Sequence, residues 1–160
     1  MSVLIIEVHL FTGQALSPDN MAILQKVNEL QAHTGLETIV MGDFQNDEQG
    51  LANSDWLGAS PFVLLEHGKL TCFQRHPSSI DGCLVTPVLH SVMQAPEVKP
   101  GCRATHWALH ATFPYIPRNI YGLQPRSVFG FPYFAHLVVD GELMFDTGAC
   151  AHAIMMAGNV

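Results

Sequence analysis

Between Thr38 and Asp47 the chain reads TIVMGDFQND, and this stretch limits the available folds more than any other. Thr38 to Met41 is a β-branched, apolar run of the kind that forms a short buried strand. Gly42 then allows a sharp turn of the backbone, and Asp43 falls where the strand ends. A carboxylate in that position is held rigidly by the strand yet opens onto a cleft, which suits chemistry. Gln45, Asn46, Asp47 and Glu48 crowd behind it. Taken alone, the stretch also reads as a strand followed by an Asx-type turn. Its meaning is set by its flanks.

Upstream, Val3 to Leu10 is apolar and β-branched and predicts a central strand, with His9 at its far end. Ser17-Pro18 is a strong helix start, Ser17 as N-cap and Pro18 at the first helical position. Ile23, Leu24, Val27 and Leu30 make one apolar stripe at helical spacing, and Gly35 closes a helix over Pro18 to Thr34. Strand, helix, strand is a βαβ-like unit and favours an α/β architecture.

Downstream, Gln49 to Ser60 reads as loop, anchored by Trp56 and Leu57. Phe62 to Leu65 and Leu70 to Phe73 flank Glu66-His67-Gly68-Lys69 as a hairpin. Ile80 to Thr86 predicts a strand with Asp81 at its start. Pro87 to Cys102 holds three prolines and predicts a surface path. Thr105 to Phe113 is a strand opening on His106-Trp107. Pro114, Pro117, Pro125 and Pro132 then mark a linker, and Leu137 to Phe145 carries one hairpin signal. Thr147 to Val160 carries no pattern that assigns it. The division expected is a domain over 1–113 and a Pro-rich linker and tail over 114–160.

With 160 residues, 48% hydrophobic and 13% charged, the chain is globular and buries roughly two thirds of its surface. A net charge of −7 removes any broad electrostatic pull toward nucleic acid or anionic membrane. An enzyme needs only a local site, so that class stays open. Cys72, Cys83, Cys102 and Cys150 form no CxxC pair and no zinc spacing, and reduced thiols fit an intracellular protein, cytoplasmic or nuclear. The start, MSVLIIEVHL, lacks a basic n-region and is broken by Glu7 and His9, unlike a signal peptide. No run of 18 apolar residues exists to span a membrane.

Polar residues thus mark four strand ends: His9, Asp43 with Gln45, Asp81, and His106. In an α/β sheet such ends gather on one rim. Two histidines and two carboxylates there suit hydrolysis of a phosphate ester, one His protonating the leaving oxygen and the other taking a proton from water. A hard divalent cation at Asp43 would neutralise the phosphoryl oxygens.

The order VHL, GDFQND, SSIDGCLVT, ATHWAL resembles the endonuclease/exonuclease/phosphatase superfamily, of the deoxyribonuclease I-like kind, over roughly Val3 to Phe113. The resemblance implies half of a two-sheet α/β sandwich, a mixed sheet with its helix outside. It implies His9 as general acid, Asp43 as contact to Mg²⁺ (or Mn²⁺) or to the attacking water, and Gln45 as phosphate contact. Asp81 would orient His106, the general base or phosphate contact. Three departures accompany it. Thr105 stands where the family has an acidic residue, leaving at most a phosphate contact. Gln45 is one methylene longer than the family Asn. The family's upstream Asn and metal-binding Glu have no counterpart, and Glu7, on the same strand as His9, does not replace them.

The expected function is therefore a divalent-metal-dependent phosphodiesterase of nuclease type, truncated and weakly active, with a phosphate-ester substrate that nucleic acid could supply. The alternative is a catalytically dead remnant serving as an interaction or structural module. Strands apolar on both faces also predict that one sheet face is left exposed, covered by residues from Tyr115 onward, or buried by self-association.

Overall fold

The computed structural model describes residues 2–73, 76–103, 106–112, 119–122, 136–138 and 142–145; residues 2, 101–103 and those beyond 112 are described by backbone alone. The fold is α/β, built from two sheets with helices outside.

The first sheet is mixed, in the order β3-β4-β2-β1-β7. Its centre is β1 (Ser2–His9) beside β2 (Glu37–Asp43), parallel and paired from Val3↔Glu37 to His9↔Asp43. The crossover between them is α1 (Pro18–Thr34), started and stopped by the residues that announce it. The Ser17 side chain accepts from Asn20 N–H, and Gly35, at φ 62°, donates its own N–H to Gln31 O. On the other side of β2 runs β4 (Asp81–Val85), antiparallel, with Gly42↔Gly82 and Asp43↔Asp81 opposite each other.

Gly42 is required here for a reason other than a turn. It lies inside β2 at φ 148°, and a Cβ would sit 1.8 Å from Val8 O, so only glycine lets β1 and β2 approach at their ends.

Between β2 and β4 the chain departs from expectation. Gln49 to Ser60 is not loop but two short helices, α2 (Glu48–Ala52) and α3 (Asp55–Ala59), capped by the side chains of Asp47 and Ser54. Five residues each are too few to show helical periodicity. Nor do the two runs around Glu66–Lys69 pair with each other. β3 (Val63–Leu64) pairs with β4, while Cys72 bridges to Ser78 and to His106. A pattern of apolar runs indicates strands but not their partners.

Pro87 to Cys102 is likewise more ordered than its prolines suggest. It holds α4 (Pro87–His90), with Pro87 at a helix start, and β5 (Glu97–Arg103). β5 is an edge strand, where Pro100 costs no ladder bond. The second sheet has the order β5-β6-β9-β8. Its other members are β6 (His106–Thr112), β8 (His136–Val138) and β9 (Glu142–Phe145), the last two forming the expected hairpin. Together with β7 (Asn119–Gly122), which lies parallel to β1, they bring residues from beyond Phe113 into both sheets.

Two cores result. One lies between α1, α2, α3 and the first sheet, around Leu4, Leu24, Val40, Phe44, Leu51 and Trp56. The other lies between the sheets, where Ile5, Ile39, Met41, Cys83 and Val85 meet Val98, Leu109 and Ala111. This face is therefore not left exposed: among the described side chains its cover is Val98, Leu109 and Ala111 of the second sheet, residues that precede Tyr115 and were not expected to supply it. Cys72 and Cys83 are free and buried. No described helix is long and apolar enough to cross a membrane.

Candidate active site

Side chains alternate across a strand, and that alternation places the site. Val3 and Ile5 face the inter-sheet core, so Glu7 and His9 lie on the same face at the end of β1. Ile39 and Met41 put Asp43 there, and Cys83 and Val85 do the same for Asp81. The polar residues thus extend the inter-sheet core to one rim.

A cleft of about 440 Å³ opens at that rim, and His9, Asp43, Gln45 and His106 all line it. Asp81, 1% exposed, lies behind them, its Oδ2 3.2 Å from His106 Nδ1. A carboxylate can only accept, so the contact makes Nδ1 the protonated ring nitrogen and leaves the ring's lone pair on Nε2. His9 Nδ1 stands 3.9 Å from Asp43 Oδ2, and the His9 side chain is about half exposed. Five of the six residues singled out in the sequence are brought together. Thr105 lies outside the described residues.

Asp43 is 2% exposed and heavily engaged. Its Oδ1 accepts from Gln45 N at 2.9 Å and its Oδ2 from Gln45 Nε2 at 2.5 Å. Gln45 Oε1 in turn accepts from Gly13 N at 3.3 Å, tying the site to the loop after His9. The Gln45 amide thus bonds the Asp43 carboxylate, and its backbone takes a left-handed φ of 51°, uncommon for a non-glycine residue. Burial, and next the charge of Asp81, push the Asp43 carboxyl above its ordinary range; the Gln45 N–H and His9 oppose them. On the same face, burial pushes the Glu7 carboxyl up to about 7.

Mg²⁺ is normally held by one or two carboxylates together with water and substrate phosphate. Among the described residues no group of three or more His, Cys, Asp or Glu side chains could hold a metal ion. Asp43 is the one carboxylate lining the cleft among the described residues, each of its oxygens already accepting a hydrogen bond from Gln45, and the remaining Asp81 oxygen is sealed from solvent without a hydrogen-bond partner among the described residues. The described donors do not fit the expected cation.

Sequence reasoning missed the other residues lining the cleft, Thr12, Cys72, His76, Ser78 and Ile80. Thr12 follows a visible site residue by three positions. Ile80 directly precedes Asp81, while Cys72, His76 and Ser78 come with the bridges of Cys72 to Ser78 and His106, for which the sequence carries no signal.

No protein-family model and no curated protein matches this sequence. Among solved structures, the chain is similar to the endonuclease domain of TRAS1, a telomere-specific non-LTR retrotransposon. The TM-score is 0.48 and the identity 15%, over 63% of this chain and 52% of that one. The chain thus spans about half the length of that domain.

Proposed function

We propose that the cleft is a nuclease-type phosphodiester-hydrolase centre that works by histidine acid–base chemistry. The observation that carries this reading is the Asp81–His106 contact of 3.2 Å at the edge of a cleft that His9 also lines. Asp81 fixes the His106 tautomer, and His106 Nε2 takes a proton from a water attacking phosphorus. His9, near the charge of Asp43, donates a proton to the leaving oxygen. Each such proton transfer contributes roughly 10²–10⁴ in rate. The Mg²⁺ or Mn²⁺ that the resemblance implies enters no step, because the described donors do not fit it. A lost electrostatic element of that kind costs on the order of 10²–10³ in rate, so turnover by this chain is slow.

The engaged Asp43 equally favours a second reading, an interaction module without catalysis. Hydrolysis of bis(p-nitrophenyl) phosphate and of a short oligonucleotide, with Mg²⁺, with Mn²⁺ and with a chelator, separates the two. The hydrolase reading expects slow turnover that survives chelation and falls by about 10²–10⁴ in His106→Ala and His9→Ala. Robust metal-dependent turnover abolished by Asp43→Ala would reveal a cation ligand outside the set above. A wild-type rate no higher than that of His106→Ala leaves the interaction module.

A further inference from the structure

The segment from His67 to Cys72, which the sequence presents as the turn and second strand of a hairpin, holds Asp81 directly and the start of the His106 strand beside it. On the edge of β4, β3 pairs only at Val85 and Leu84, and Leu65 N–H then donates to Cys83 O at 2.9 Å. One step further along, Asp81 turns both of its backbone groups to the same edge, where no strand runs. Side chains replace the strand. Asp81 N donates to Thr71 Oγ1 at 3.1 Å, and Asp81 O lies 3.0 Å from His67 Nε2. The same segment holds the histidine's strand, since Trp107 N donates to Thr71 O at 2.7 Å and Cys72 bridges to His106.

His67 is built for this task and for no exposed one. Its side chain is fully buried. Lys69 N donates to its Nδ1 at 3.2 Å, which makes Nδ1 an acceptor and puts the ring proton on Nε2. That proton points to Asp81 O, with Glu48 Oε1 also 3.4 Å from Nε2. Glu48 anchors the segment from the other end, its two oxygens accepting from His67 N at 2.7 Å and Gly68 N at 3.0 Å. Gly68, at φ 63°, supplies the left-handed turn that aims both N–H groups at one carboxylate.

We propose that His67, with Thr71, is a positioning residue for the acid–base pair: the two side chains pin the backbone of Asp81 while the same segment pins β6, and so set the Asp81–His106 separation. The proposal rests on the acid–base reading for its purpose but not for its test. A buried backbone N–H and C=O each demand a partner, and here both partners come from one loop that also holds the other strand. Loosening the loop moves the carboxylate relative to the ring. A displacement of about 1 Å at such a pair can cost on the order of 10²-fold in rate.

The test uses the full 160-residue chain with ¹⁵N-labelled histidine, reading the ring nitrogens of His106 in wild type, His67→Ala, His67→Gln, Thr71→Val and Thr71→Ser. Wild type should show His106 as one tautomer, protonated on Nδ1. His67→Ala and Thr71→Val should shift it toward a mixture with the Nε2–H form. His67→Gln, whose amide N–H replaces Nε2–H, and Thr71→Ser, which keeps the hydroxyl, should restore the single form. Thr71→Val preserves shape, so it still reports if His67→Ala fails to fold. A His106 ring spectrum unchanged in folded Thr71→Val, or in His67→Ala whose thermal midpoint alone has fallen, would overturn the proposal. The ring signal needs no turnover. A tautomer shift in a chain that hydrolyses nothing would uphold the positioning role and reject the hydrolase reading.

Discussion

Glu7 is the residue whose surroundings most plainly oppose its chemistry. It is an acid on a face otherwise given to the inter-sheet core, and burial pushes its carboxyl up to about 7. A carboxyl raised in the folded state binds its proton more readily there than in the unfolded chain. Its contribution is therefore fully present below the unfolded value of about 4.5 and is lost as pH rises to about 7. We predict that Glu7→Gln flattens this slope. It should gain roughly 1–3 kcal/mol over wild type at pH 8 and nothing at pH 4, allowing for partial solvent screening. Urea unfolding of both proteins across that range is the check, and parallel stability curves would refute it. Asp43 and Asp81 are different in kind, two carboxylates opposed across a strand pair. Both are buried where the inter-sheet core meets the cleft.

Among the elements, the β1–β2 pair carries the site, and Gly42 governs how closely its ends approach. A Cβ there meets Val8 O at 1.8 Å, and that atom belongs to backbone that cannot swing aside. Gly42→Ala should therefore cost more than about 3 kcal/mol, combining strain at an unfavourable φ with a separated strand pair. Loss of the cooperative unfolding transition, or a shift of that size, is the expected calorimetric result; a near-neutral variant would mean that the strands do not approach this closely. The α1 crossover offers a milder comparison. Ser17→Ala removes the N-cap acceptor for Asn20 N and should cost about 1 kcal/mol, without altering the His106 ring signals. Asn20 is more than a capped residue, since its buried side chain bonds Phe11 N, Phe11 O and Ala15 O. It sets the loop that delivers Thr12 to the cleft.

For the whole molecule, the first sheet is shared by two cores, and only one of them reaches the site. Leu109 is 3% exposed in the inter-sheet core and Leu24 fully buried under α1. Truncating either to Ala should cost about 2–5 kcal/mol. Leu109→Ala alone should also disturb the His106 ring signals, because it loosens β6 against β4. Equal spectral effects from both variants would show that the site does not depend on how the sheets pack. Net charge adds a constraint at this scale. At −7, the chain gains little from the phosphate-neutralising attraction that drives non-specific nucleic-acid binding.

Much of the site was legible in the chain because it sits on regular elements. The apolar runs before His9, Asp43 and Asp81 define strands, and a strand's period of two assigns each polar residue to a face without any tertiary knowledge. Ser17, Pro18 and Gly35 mark the helix ends through local bonds, which is why that element matches its expected bounds. What the chain could not disclose is everything decided by distant pairing. Nothing local says that Val63–Leu64 joins β4, that Cys72 reaches His106, or that Gly42 faces the Val8 carbonyl and not a turn. The His67–Asp81 contact belongs to the same class. Each depends on where a second segment lies, and that is settled by which strands bury the most apolar surface together, a property of the folded whole that no window of sequence contains.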